Sequence, residues 1–148
     1  MGLLVTTSLR TLIEDVETHL DAAPSLGIIR GDVLSGPATM AQQRGAMGYA
    51  VKRTLTRNLE ENRNQDVARV EDLLIVELQA RVKPKAQRTT RGELYDIEEA
   101  VINRVTELAH QRKWNPRYVD TLEELLPGEW FKLFVRFSFK RFQAVGGG

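Results

Sequence analysis

Histidines and paired carboxylates are the residues of this chain whose types could support acid–base catalysis or bind a metal. His19 and His110 are the two histidines, and neither stands in a metal-binding spacing such as HExxH. Each falls near the end of a predicted helix, where a cation interacts favourably with the helix dipole. We therefore interpret both histidines as structural and predict no metal site.

The carboxylates and potential nucleophiles also lack a catalytic arrangement. The side chains of consecutive residues point to opposite faces of a strand, and on a helix they do not face each other. This applies to the acidic pairs Glu60-Glu61, Glu98-Glu99 and Glu123-Glu124. The chain has no cysteine, no serine in a GxSxG motif, and no GxxxxGK[ST] or GxGxxG loop. The sequence thus predicts a protein that is not an enzyme and needs no cofactor.

A basic row with interleaved aromatic residues, near the end of the chain, is the remaining candidate site. Basic groups and rings together are typical of single-stranded nucleic-acid sites, which use phosphate contacts and base stacking. Outward lysines and arginines also protect a strand from wrong pairing, and a formal net charge of +1 does not favour nucleic acid. The large rings favour an interface instead. The candidate interface or lumen residues are Trp130, Lys132, Phe134, Arg136, Lys140 and Phe142.

Two helices are predicted from apolar residues that recur every three or four positions. The first begins near Thr6 to Ser8 and ends before Pro24, because proline disfavours helical geometry in the preceding residue. The second begins at a capping box formed by Thr90 and Glu93. Its apolar stripe consists of Leu94, Ile97, Val101, Val105 and Leu108.

Four strands are predicted from shorter patterns. Residues 26–29 indicate a brief strand or edge segment, and alternation over residues 70–83 indicates a longer strand that ends before Pro84. Residues 118–126 and 129–142 indicate a hairpin with its turn at Pro127-Gly128. On its second strand the apolar face opposes the basic row and consists of Phe131, Leu133, Val135, Phe137 and Phe139.

Residues 31–66 give the weakest pattern. They are predicted to be an arm or insertion: an extended arm or hairpin that orders on a partner, or a flexible insertion. Thr54, Leu55 and Leu59 indicate at most a weak strand or helix. Both interpretations make much of this backbone depend on something outside the core. The glycines at 146–148 are predicted to be a flexible tail.

The composition fits one domain. The chain has 148 residues, of which 42% are hydrophobic and 28% charged, and it contains no apolar run long enough to span a membrane. Strands with one apolar face need cover, which two amphipathic helices supply. The predicted fold class is α+β: an antiparallel or mixed sheet with two amphipathic helices packed on one face and a long extended middle segment.

The order of these elements resembles that of the tail terminator family of tailed bacteriophages, also called minor tail or tail completion proteins. The resemblance covers residues 6–20 and 70–142. It rests on the opening helix, the strand RVEDLLIVELQARVKP, the helix TTRGELYDIEEAVINRVTELA and the hairpin ending in ELLPGEWFKLFVRFSFKRF. Residues 31–66 match no pattern of the family, and no individual functional residue is carried over.

Members of that family are small α+β subunits that form hexameric rings on the end of the tail tube. The resemblance therefore implies a structural virion protein of the tail or neck, made in the host cytoplasm. Its partners would be other copies in a ring, the tail tube protein and the head–tail connector protein, with transient passage of DNA through the lumen and no membrane. The basic row would lie at a subunit interface or around the lumen. Two alternatives stay open: a head-side neck protein (stopper or adaptor), or a small nucleic-acid-binding module.

Overall fold

The computed structural model describes residues 6–31, 47–59, 67–81, 87–111, 114–126 and 130–144. The helices in these ranges are α1 (Leu9–Asp21) and α2 (Gln87–Thr106), with short 3-10 helices at Pro24–Leu26 and Glu107–Gln111. The strands are β1 (Ile28–Arg30), β2 (Met47–Asn58), β3 (Val67–Arg81), β4 (Arg117–Leu126) and β5 (Trp130–Ala144). No helix in the described part of the chain is long and apolar enough to cross a membrane.

The five strands form one sheet in the order β1-β2-β3-β5-β4. β1 pairs with β2 in parallel, and the other neighbours are antiparallel. Both helices pack on the same face of this sheet through a shared core. The predicted α+β fold, with a mixed sheet and two helices on one face, is confirmed.

The core lies between the helices and the alternate residues of the two central strands. Val76 of β3 stands opposite Val135 of β5, and Phe137 and Phe139 of β5 are fully buried. Trp114 packs edge-on against Phe139 and donates from Nε1 to Asp15 Oδ2 at 2.8 Å, which ties the segment after α2 to α1. The residues that the helices contribute are Leu12, Val16 and Leu20 from α1, and Leu94, Val101 and Val105 from α2. Complete burial of each such side chain contributes roughly 1.5–3 kcal/mol.

Three elements begin two or more residues away from their predicted positions, and one of them is β3, which starts at Val67 rather than at residue 70. The early strand was predicted over residues 26–29, but Pro24–Leu26 form a 3-10 turn and Gly27 takes a left-handed conformation (φ 67°), so pairing starts at Ile28. The capping box predicted that the second helix starts at Thr90, but α2 starts at Gln87. Gln87 and Arg88 are good helix formers, and no proline or glycine before Thr90 stops the helix from including them.

The middle segment contains a regular strand. β2 pairs with β3 from Gly48 to Asn58, with a bulge between Arg53 and Leu55. The prediction that this backbone depends on something outside the core is therefore wrong for Met47–Asn58. The alternation escaped detection because most outward side chains after Val51 are polar, as suits a strand near the edge of a sheet. The rest of the predicted arm, residues 32–46 and 60–66, lies outside the described residues, as do residues 146–148.

Candidate interaction surface

The face of the sheet opposite the helices, which we call the open face, carries the whole predicted basic row. Side chains of a strand alternate between faces, and the helix-facing set of β5 is the buried one. The alternate residues of β5 therefore belong to the open face. These include Trp130, Lys132, Phe134, Arg136, Lys140 and Phe142.

Glu77 of β3 organises the centre of the open face. Its carboxylate is nearly buried, and Oε1 lies 3.5 Å from Lys52 Nζ and 3.4 Å from Lys132 Nζ. Both ammonium groups also lie over the Phe134 ring, at 5.7 and 6.0 Å from its centroid. A buried carboxylate is tolerated when it is paired, and these two lysines supply the pairing. The sequence did not single out Glu77 or Lys52, because their contact depends on the register of three strands.

Two further carboxylates on the open face, those of Asp120 and Glu71, accept hydrogen bonds from arginine or serine side chains. Arg136 donates through Nε to Asp120 Oδ1 at 2.5 Å, and this contact lowers the pKa of Asp120 below its ordinary value. Ser138 donates to Glu71 Oε2 at 2.6 Å and Arg57 donates to Oε1; these hydrogen bonds lower the pKa of Glu71. Within the predicted row, Lys132 and Arg136 are thus engaged by the chain's own carboxylates, whereas Lys140 is exposed.

The open face is more basic than the molecule as a whole. The strand registers assign it eight basic and four acidic side chains, an excess of four positive charges on a chain with a formal net charge of +1. The basic residues are Lys52, Arg57, Arg69, Arg81, Arg117, Lys132, Arg136 and Lys140, and the acidic ones are Glu71, Glu77, Asp120 and Glu124. Such a surface attracts anionic groups at short range.

The most exposed apolar groups of the described residues are not the rings of the basic row. Trp130, Phe134 and Phe142 are half-buried, and the ammonium groups of Lys52 and Lys132 lie over the Phe134 ring. The most exposed large apolar side chains of the described residues belong to β4, where Leu122 is 63% and Leu125 is 65% exposed. This exposure follows from the position of β4 at the edge of the sheet.

A buried ion pair lies at the end of the sheet nearest the beginning of α1. Arg141 and Asp72 both face the helix side, with side chains 1% and 0% exposed. Arg141 also donates to the carbonyl of Thr7 at 2.8 Å and to Gln143 Oε1 at 2.7 Å. A pocket of about 240 Å³ lies beside this guanidinium and residues 6–9. The guanidinium is already engaged by these three partners, so we assign it a structural role.

The histidines do not form a reactive centre. His19 Nε2 lies 3.4 Å from Glu107 Oε2, without hydrogen-bond geometry, and the His19 carbonyl accepts from Arg104 Nε at 3.0 Å. His110 lies in the 3-10 helix after α2. Within the described ranges, no group of three or more histidines and carboxylates is placed to hold a metal ion.

No protein-family model matches the chain, and no curated protein matches it significantly. The open face and the sheet edges therefore have to be interpreted from their own geometry.

Proposed function

We propose that this protein is a structural virion component that forms a ring at the head-proximal end of a phage tail tube. The ring, of six copies by the family resemblance, ends polymerisation of the tube and joins the tail to the head connector. Its partners are other copies of itself, the tail tube protein and the connector protein.

The observation that supports this proposal best is the difference in coverage between the two faces and the β4 edge of the sheet. The centre of one face is covered by α1 and α2, while the other face carries partly exposed rings, and β4 carries two exposed leucines. An unpaired edge strand with exposed apolar side chains is a template for pairing with another chain, and it favours association with other proteins. The element order also agrees with the one on which the family resemblance rests.

Termination follows from unequal ring faces. A subunit that binds the last ring of the tube on one side, but presents no copy of that binding surface on the other, leaves nothing for the next tube subunit to bind. Growth then stops at a defined ring, and the free side is available to the connector. DNA passes through the lumen without being a stable ligand.

The first experiment measures the mass of the purified protein by light scattering and images the same sample by negative stain. Rings with an open centre are the expected result, followed by capping of purified tail tubes at one end. Rings that bind head connectors but never tubes would favour the stopper or adaptor alternative. Protein that stays monomeric and leaves tube length unchanged would overturn the proposal.

A nucleic-acid-binding module is the second candidate, and the basic excess of the open face is the observation that favours it. A binder of this kind loses affinity steeply with salt, because phosphate contacts release counterions. Lys132 and Arg136 pair with carboxylates of the chain, so the cleaner test uses the exposed residues Arg69, Arg81 and Lys140. A salt-dependent mobility shift of single-stranded oligonucleotide, lost on changing these three to glutamine, would support the module.

The control for that test is Arg10→Gln, because Arg10 is an exposed residue of α1 and lies away from the open face. It should leave any specific shift intact. Absence of a shift for the wild-type protein at low salt would eliminate this candidate.

A further inference from the structure

Among the residues that the structure describes, the two long edges of the sheet are unpaired along stretches of similar length. β4 pairs only with β5 among the described residues, so its outer edge is unpaired from Arg117 to Leu126. At the other side of the sheet, β1 covers only Met47, Gly48 and Tyr49 of β2. Among the described residues, no strand pairs with the outer edge of Ala50–Arg57. Unpaired edges are templates for a strand from another chain.

The exposed leucines of β4 favour a partner that adds a strand at the edge of the sheet over a partner that binds to one face. Leu122 stands opposite Phe134 and belongs to the open face, whereas Leu125 stands opposite Phe131 and belongs to the helix side. A partner that covers only one face of the sheet would leave one of these leucines in water. A strand added at the edge brings neighbours to both faces at once.

We infer that the β4 edge of one copy pairs with the β2 edge of the next copy, so that the sheet continues from subunit to subunit. Strands β2 and β4 run in opposite directions within the sheet, because each neighbour from β2 through β3 and β5 to β4 is antiparallel. When all copies keep the same orientation, β4 therefore meets the β2 of its neighbour in the antiparallel sense. Such a head-to-tail interface closes into a ring or continues as a filament, depending on the rotation between copies.

One register makes the two edges complementary along their length. Because of the bulge in β2, its six residues 52–57 stand opposite only five residues of β3, 75–71. We infer that on its outer edge the same six residues stand opposite five residues of the neighbour's β4, 124–120. Each proposed pair then lies on a common face of the sheet. The pairs are Lys52 with Glu124, Arg53 with Glu123, Leu55 with Leu122, Thr56 with Thr121, and Arg57 with Asp120.

This register also agrees with the ends of the strands. It brings Leu125 opposite Val51 and Leu126 opposite Ala50, so the β4 of the neighbour ends where β1 begins to cover Tyr49. Leu55 is 46% exposed and Leu122 is 63% exposed, and each would cover the other. Asp120, Glu123, Lys52 and Arg57 already contact groups in their own chain, so the backbone pairing and the leucine contact supply most of the stability.

The test uses cysteine pairs, because the chain has no native cysteine. Directly opposed residues of antiparallel strands have Cβ atoms about 4.5–5.5 Å apart, close to the distance that a disulfide bridges. The doubly substituted chain Leu55→Cys with Leu122→Cys should give, on mild oxidation, a ladder of covalent oligomers on a non-reducing gel. A mixture of the two single variants should give only a dimer that contains one of each.

The matched control is Leu55→Cys with Leu125→Cys, since Leu125 is as exposed as Leu122 but lies on the other side of the sheet. It should give no ladder. Equal ladders from both pairs would overturn the register, and no ladder from the Leu122 pair at concentrations where the protein associates would overturn the interface.

The inference rests on the proposed assembly into rings, but the two can fail separately. Rings seen by negative stain with no cross-linking of the Leu55 and Leu122 pair would reject this interface and leave the proposed function standing. Cross-linked chains that assemble without capping tail tubes would retain the interface and reject the proposed function. A protein that neither associates nor cross-links would reject both.

Discussion

Asp72 and Arg141 form an ion pair inside the protein, where the beginning of the chain reaches the end of the sheet. Thr56 donates to Asp72 Oδ1 at 2.5 Å, and Arg141 reaches Thr7, so this pair joins β2, β3, β5 and the segment before α1. Burial of a charge is costly unless its partner is present. The pair therefore acts as a unit, and loss of one member leaves the other charge in an apolar environment.

We expect Asp72→Ala to lower the free energy of unfolding by about 3–5 kcal/mol, the usual cost of leaving a buried charge without its partner. Urea unfolding followed by circular dichroism measures it. The matched control is Asp120→Ala, which breaks the exposed pair with Arg136 and should cost much less, because water replaces the lost contact. Equal losses from the two variants would contradict the structural role of the buried pair.

Glu71 gives the protein a predictable response to acid. Its pKa in the folded protein lies below the ordinary 4.5, first because Ser138 donates to it and second because Arg57 does. A lowered pKa stabilises the fold above the unfolded-state value, and this stabilisation is lost as the pH falls from about 4.5 through the folded-state pKa. Ser138→Ala should raise the pKa of Glu71 and make acid unfolding begin at higher pH.

Carboxyl-detected NMR titration of Glu71 measures that shift directly. The distant variant Ser8→Ala should leave the Glu71 titration unchanged. If Ser138→Ala also left it unchanged, the hydroxyl would not be the group that lowers this pKa.

At the scale of elements, α1 is held by polar contacts at its beginning, middle and end. Ser8 accepts from the amide of Thr11 at 3.1 Å, Asp15 accepts from Trp114, and Asp21 accepts from the Tyr49 hydroxyl. Burial and the hydrogen bond to Asp21 raise the pKa of Tyr49, so its phenol stays protonated and remains a donor. Apolar packing is not directional, so these polar contacts fix the orientation of α1 more closely than its apolar stripe alone would.

Ser8→Ala should lower the free energy of unfolding by about 1 kcal/mol, because it leaves an amide of the first helical turn without its side-chain acceptor. Ser8→Asp is the control, since aspartate caps as well as serine does. Thermal or urea unfolding of the three proteins provides the comparison. Equal destabilisation by alanine and aspartate would mean that Ser8 acts through something other than its cap.

At the scale of the whole molecule, the covered and open sides of the sheet differ in charge and in what they can bind. The helix side is filled by the core, whereas the open face holds the basic excess and the edges hold exposed leucines. Because the total charge is only +1, this contrast is invisible in the composition. Assembly through edges would leave the open face of every subunit on the same side of the sheet.

Removal of residues 31–66 should prevent folding of the whole protein. The deletion removes β2, whose Tyr49 and Val51 belong to the core and whose backbone pairs with β3. We expect the shortened chain to lose cooperative thermal unfolding in circular dichroism, whereas deletion of residues 146–148 should not change it. A shortened chain that still unfolds cooperatively would mean that β2 is dispensable to the fold.

The sequence by itself determined the fold class, the approximate span of α1 and the two faces of β3 and β5. These depend on local periodicity: the alternation around Val76 and Val135 has only one arrangement that buries the apolar set, whatever the neighbouring strands are. The basic row was assigned to the correct face of β5 for the same reason.

Only the tertiary structure decided which strands are neighbours, and therefore what the surface can do. β2 joins the sheet through its pairing with β3 although its outward residues are polar, and Lys52 meets Glu77 and Lys132 only because three registers coincide. The position of β4 at an edge leaves Leu122 and Leu125 exposed. Contacts between residues distant in sequence are set by the free energy of the assembled sheet, which no local window of the chain contains.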